Sequence, residues 1–196
     1  MRMMGYLIFA GTIVTACAGS SRRANDAPIP VRDRRPIEPL LALPALGEPL
    51  PQFSYLSANG TTRISNGALA PLPAVVLLWS THCPFGMEVI TEIARVQREY
   101  APKGVRFVVL AAESPATLRA FEDSAHTGLT FAVTDERDLR ERFDRSAVAP
   151  ERATHRVEWI LPTYMVMDAR GRVAFKNIGP DMIPLRQALD AQLANR

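Results

Sequence analysis

The sequence predicts an α/β domain in which helices cover a mixed β-sheet and a β-hairpin precedes it. Three observations carry this expectation. Ala74–Trp79 ("AVVLLW") is a continuous apolar run of strand length, and Val105–Ala111, apolar but for Arg106, is a second strand; such segments suit strands buried on both faces. Each gives way to a helix. Val89, Ile90, Ile93, Ala94, Val96 and Gln97 share one helical face after the first, and Ser114-Pro115 supplies an N-cap and a first helical residue after the second. Near the C-terminus, Tyr164–Asp168 and Val173–Phe175 flank a turn at Ala169-Arg170-Gly171, which reads as a β-hairpin.

In chain order, the domain is expected over residues 48–196. Phe53, Tyr55 and Leu56 face Thr61, Thr62 and Ile64 across Asn59-Gly60, the dipeptide most characteristic of a tight hairpin. The strand ending at Trp79 follows, then the helix carrying Val89. Its opposite face holds Glu88, Glu92, Arg95, Arg98 and Glu99, a solvated surface rather than an acid–base pair. That helix stops at Tyr100-Ala101-Pro102-Lys103-Gly104, where proline and glycine both end helices. Leu129–Val133 reads as a short strand, "DERDLRERFD" as a short helix and "IPLRQALDAQLANR" as the closing amphipathic helix. No internal repeat is visible.

Ahead of the domain, Arg2 precedes Tyr6–Ala16, an apolar run of 11 residues. That length suits the core of a signal peptide and is too short to span a bilayer as a helix. It ends in Val14-Thr15-Ala16-Cys17, which is similar to a bacterial lipobox. On that reading residues 1–16 are removed and Cys17 is lipidated, anchoring the chain to the cell membrane or outer membrane on the extracytoplasmic side. The alternative is an ordinary signal peptide that contains a cysteine. Residues 17–47 read as a flexible linker. Seven of the chain's sixteen prolines fall between residues 28 and 51, and proline removes amide donors and favours extended backbone. Arg22, Arg23, Arg32, Arg34 and Arg35 would meet anionic headgroups or simply keep the linker solvated.

The net charge is +3 and no basic stripe is interleaved with aromatics, which argues against a nucleic-acid partner. There are two cysteines. With Cys17 lipidated, Cys83 is the sole thiol and no internal disulfide forms.

"LWSTHCPFG" (78–86), "GEPLPQF" (47–53), "KGVRFVVLAAES" (103–114) and "LPTYMVMDARGRVAFKNIGP" (161–180) occur in an order that resembles thioredoxin-fold proteins of the TlpA/redoxin kind. The resemblance covers residues 48–192 and implies a thioredoxin-like three-layer α/β/α domain. It also implies a cis proline at Pro162 facing the active cysteine, with Thr163 beside it. The chain departs from the family at one decisive place. The family carries Cys-x-x-Cys, whereas here Cys83-Pro84-Phe85 is followed by Gly86. A peroxiredoxin pattern is absent as well, because Val76 and Ser80 stand where its proline and threonine would be.

Cys83 is the candidate nucleophile. At a helix start, unsatisfied N–H groups and the helix dipole favour thiolate over thiol. Pro84 suits the first helical position, His82 would add a charge in the same sense, and Gly86 would leave the sulfur uncovered. Trp79, His82, Phe85, Thr163 and Pro162 are candidate contacts for a protein disulfide or small thiol partner, Pro162 through strand-like backbone pairing. One thiol forms a mixed disulfide that an external thiol must resolve. No cofactor and no resident metal are implied. Two other readings stay open. One is a non-catalytic tethered binding module. The other resembles Sco-type copper handling, with Cys83, His82 and His155 as ligands.

Overall fold

The computed structural model describes residues 43–83, 85–144 and 161–195. Its core is a five-stranded sheet built from strands β3 (Ala74–Trp79), β4 (Arg106–Ala112), β5 (Phe131–Thr134), β6 (Thr163–Met167) and β7 (Val173–Ile178). The spatial order is β5-β4-β3-β6-β7. β3 pairs in parallel with β4, and β4 with β5, while β6 runs antiparallel to both β3 and β7. The sheet is therefore mixed, as the sequence predicts.

Every residue of β3 is buried, because helices and loops cover both faces of the sheet. Val75, Leu77 and Trp79 point to one side, into a core shared with α2 (Gly86–Tyr100), α3 (Pro115–Ala125) and α5 (Ile183–Ala194). Ala74, Val76 and Leu78 point to the other, against α4 (Glu136–Phe143) and the N-terminal hairpin. This two-sided burial is why β3 reads as a continuous apolar run without alternation. On α2, Val89, Ile90, Ile93, Ala94 and Val96 are buried, which confirms the helical face read from the sequence.

The hairpin consists of β1 (Ser54–Leu56) and β2 (Arg63–Ser65), paired antiparallel around Asn59-Gly60. Gly60 adopts φ +73°, a conformation glycine enters without a Cβ penalty. The hairpin leads into a helical turn that the sequence did not announce, α1 (Asn66–Leu69), capped by the Ser65 hydroxyl. Ser114 caps α3 by accepting from the Thr117 amide at 3.0 Å, with Pro115 in its first turn.

The packed domain starts earlier than residue 48. Leu43 is buried, and Lys176 Nζ donates to the carbonyls of Leu43 at 3.2 Å and Pro44 at 2.9 Å. Gly47 N donates to Val173 O at 2.8 Å, so residues 43–47 run along the β7 edge. The proline content of this stretch suggested linker; its apolar Leu43 and its backbone pairing make it part of the fold.

The expectations for the signal peptide, Cys17, linker residues 17–42, Pro84 and His155 lie outside the described residues. Among the described residues, no helix is long and apolar enough to cross a membrane.

Candidate functional site

The site forms where β3 ends. After Trp79 the chain turns through Ser80-Thr81-His82-Cys83, with Cys83 N donating to Ser80 O at 3.3 Å and Gly86 N to Cys83 O at 2.8 Å. The first i→i−4 bond of α2 runs from Val89 N to Phe85 O at 3.0 Å. The helix thus opens at Gly86, with Phe85 as its N-cap. Cys83 belongs to the turn that precedes the helix.

The Cys83 sulfur is half-buried and donates its proton to the carbonyl of Leu161, 78 residues along the chain. The Leu161–Pro162 bond is cis, as the family resemblance implies. Cys83 and the peptide before Pro162 therefore meet face to face. A carbonyl only accepts, so this contact lasts while the sulfur keeps its proton.

Four expectations about neighbouring residues are corrected or refined. Gly86 does not leave the turn open. It is buried, and a Cβ there would lie 2.7 Å from Ser80 O, 3.0 Å from Trp79 Nε1 and 3.4 Å from Cys83 Cβ. Trp79 cannot touch a partner, being 0% exposed. Its indole lies against Phe121 and Phe131, and its Nε1 donates to Gly86 O at 2.9 Å, which ties the end of β3 to the first turn of α2. Thr163 is buried in the sheet opposite Leu78 and Ile178, so its side chain is not at the surface. Phe85, by contrast, is 60% exposed, and its neighbour Met87 is exposed too.

A residue that the sequence did not single out organises the turn. Glu113 stands at the C-terminal end of β4, and its side chain is only 4% exposed. One carboxylate oxygen, Oε1, accepts from Ser80 Oγ at 2.9 Å, Thr81 N at 2.7 Å and Thr81 Oγ1 at 2.5 Å, and His82 Nδ1 lies 3.3 Å away. The signal was present in "VVLAAES": a carboxylate just beyond a buried strand, at the end of an α/β sheet where sites collect.

Burial alone would push the Glu113 carboxyl up. Hydrogen bonds from the Thr81 side chain and backbone and from Ser80 outweigh it and hold the group below its ordinary 4.5. Stability linked to this depressed value is fully present above pH 4.5 and is lost as pH falls through the folded-state value. Wild type is therefore expected to exceed Glu113→Gln in urea midpoint above pH 4.5, with the gap narrowing in more acid solution. Urea titrations at several pH values check this. A gap that stays constant down to about pH 3, below the usual carboxylate range, would contradict it.

Elsewhere, a cleft of about 580 Å³ lies outside the β5 edge, lined by Ser57, Asn59, Arg119, Glu122 and Phe131. It contains no residue of the Cys83 turn. Among the described residues, no cluster of three or more His, Cys, Asp or Glu side chains is arranged to hold a metal ion.

Residues 45–193 match the Redoxin family. No curated protein matches the chain by sequence. Among solved structures, a proposed thiol:disulfide interchange protein DsbE from Chlorobium tepidum superposes with a TM-score of 0.63 at 17% identity, covering 76% of this chain and 99% of that one. A thioredoxin-family thiol:disulfide interchange protein from Chlorobium tepidum TLS gives 0.58 at 23% identity, covering 76% and 98%. The MTB dsbF structure, in mixed oxidised and reduced forms, gives 0.52 at 20% identity, covering 72% and 95%. These likenesses establish a thioredoxin-like fold. Since the family match runs through nearly the whole described domain, the chain belongs to the Redoxin family.

Proposed function

We propose that the chain is an extracytoplasmic thiol–disulfide exchange protein that works through one cysteine, Cys83, and is tethered by a lipid on Cys17. The observation that carries this reading is the half-buried Cys83 sulfur set against the carbonyl that precedes cis Pro162. An extended partner segment would pair with the backbone beside Pro162, and the exposed ring of Phe85 would rest against its side chains. His82 and Pro84 flank the nucleophile; Trp79 and Thr163 support the site from within the core.

The Cys83 thiolate attacks a partner disulfide, forming one S–S bond as another breaks and releasing one partner thiol. The mixed disulfide is then cleaved by a second thiol, from the same partner or from a small molecule, which regenerates Cys83. The protein neither gains nor loses electrons over the cycle.

The full-length Cys17→Ser chain, with Cys83 as its sole thiol, tests the chemistry. Incubation with glutathione disulfide is expected to add one glutathionyl group by mass, removable by dithiothreitol, and Cys83→Ser in the same background should add none. Failure of Cys83 to form the adduct would leave only a tethered binding module. In the same expression host, labelled palmitate should enter wild type and not Cys17→Ser; label in both would refute the anchor.

A further inference from the structure

The groups around His82 form an ordered chain of donors and acceptors. Ser80 Oγ donates its one proton to Glu113 Oε1 at 2.9 Å. Its lone pairs then accept from His82 N at 3.2 Å and face His82 Nδ1 at 3.3 Å. Glu113 Oε1, also 3.3 Å from Nδ1, is an ionised acceptor. Both neighbours of Nδ1 can only accept from it, so Nδ1 carries a proton. The ring is therefore held by its inner nitrogen, while 85% of the side chain remains in solvent. Nε2 has no hydrogen-bond partner among the described residues, and Cys83 is the next residue along the chain.

We propose that His82 is the acid–base residue of Cys83 exchange, with Glu113 as its positioning residue. This rests on the thiol-exchange reading above. In the first half-reaction, Nε2 takes the proton of Cys83 as the thiolate forms and attacks. The imidazolium, stabilised by Glu113, then gives that proton to the sulfur leaving the partner disulfide. Cys83–SH and R–S–S–R become Cys83–S–S–R and R–SH; one S–S bond is made, one is broken, and a single proton has moved from sulfur to sulfur. A residue with this role matters most for a chain without a second active-site thiol. The titratable groups beside His82 are Cys83, the next residue in its own turn, and Glu113 from the end of β4. Of these only Glu113 is in contact with the ring among the described residues.

The leaving sulfur supplies the test. An aryl disulfide, 5,5′-dithiobis(2-nitrobenzoate), releases a stable thiolate that needs no proton, whereas 2-hydroxyethyl disulfide releases a basic one that does. In the Cys17→Ser chain, the ratio of alkyl to aryl rate constants should fall roughly tenfold in His82→Ala, a modest share of what general acid catalysis contributes. Glu113→Gln should move the ratio in the same direction, and added imidazole should restore it in His82→Ala. A mere packing change would slow both reagents alike and would not respond to imidazole. A ratio unchanged in His82→Ala, or one that imidazole does not restore, overturns the proposal while leaving thiol exchange intact. No reaction of Cys83 with the aryl reagent in the parent chain would instead overturn the exchange reading itself.

Discussion

Trp79→Ala is expected to destabilise the domain by about 3–5 kcal/mol, the range measured for deleting a large aromatic side chain from a packed core. Trp79 is completely buried at the end of β3, with Phe121 at 5.1 Å and Phe131 at 5.8 Å between ring centroids. Those neighbours sit on α3 and on β5, elements held by their own packing and pairing, so they cannot collapse into the space. The change also strips the Gly86 carbonyl of its indole donor, a further loss of about 1 kcal/mol. Trp79→Phe keeps much of the ring volume and loses the N–H, so it should fall between the two proteins. Urea midpoints at unchanged m-value measure both effects. A loss below about 1.5 kcal/mol for alanine, typical of a volume-conserving core swap, would show that the indole does not hold this junction.

Gly86→Cys is expected to produce two effects of opposite sense. In the reduced protein the new Cβ would press on Ser80 O at 2.7 Å, a backbone atom whose residue is anchored by the Glu113 hydrogen bond. Overpacking of this kind costs about 1–3 kcal/mol, and Gly86→Ala should show the same loss without a thiol. The same Cβ lies 3.4 Å from Cys83 Cβ, close to the separation of about 3.5–4.5 Å that a disulfide spans. The variant should therefore close a disulfide between Cys83 and the introduced thiol when oxidised. Its glutathione adduct should vanish, because the second thiol expels glutathione. Thiol titration and mass measurement follow both steps. An adduct that persists in the variant would mean that the turn does not hold the two sulfurs within disulfide reach.

Most of the architecture was legible because its causes are local. Ala74–Trp79 is apolar at every position since both faces of β3 are covered, and the face of α2 carrying Val89 and Ile93 repeats with the helical period. Ser114-Pro115 and Asn59-Gly60 mark a cap and a turn through their own backbone chemistry. Two local readings missed. Residues 43–47 read as linker because proline content outweighs two leucines, although pairing with β7 decides their place. Gly86 read as open space, since an absent side chain in a sequence says nothing of which atoms fill the gap.

Residue type and short-range spacing were enough to set the order of strands and helices, the resemblance to the Redoxin family and the place of Cys83 three residues before Gly86. What surrounds that thiol came from the folded chain: Leu161 on its sulfur, Glu113 beneath Ser80, Thr81 and His82, and Trp79 against Gly86. The first two sets join residues 31 to 78 positions apart, and no periodicity encodes which of them meet. The contacts exist because parallel pairing of β3 with β4, and antiparallel pairing of β3 with β6, bring three chain segments to one end of a sheet.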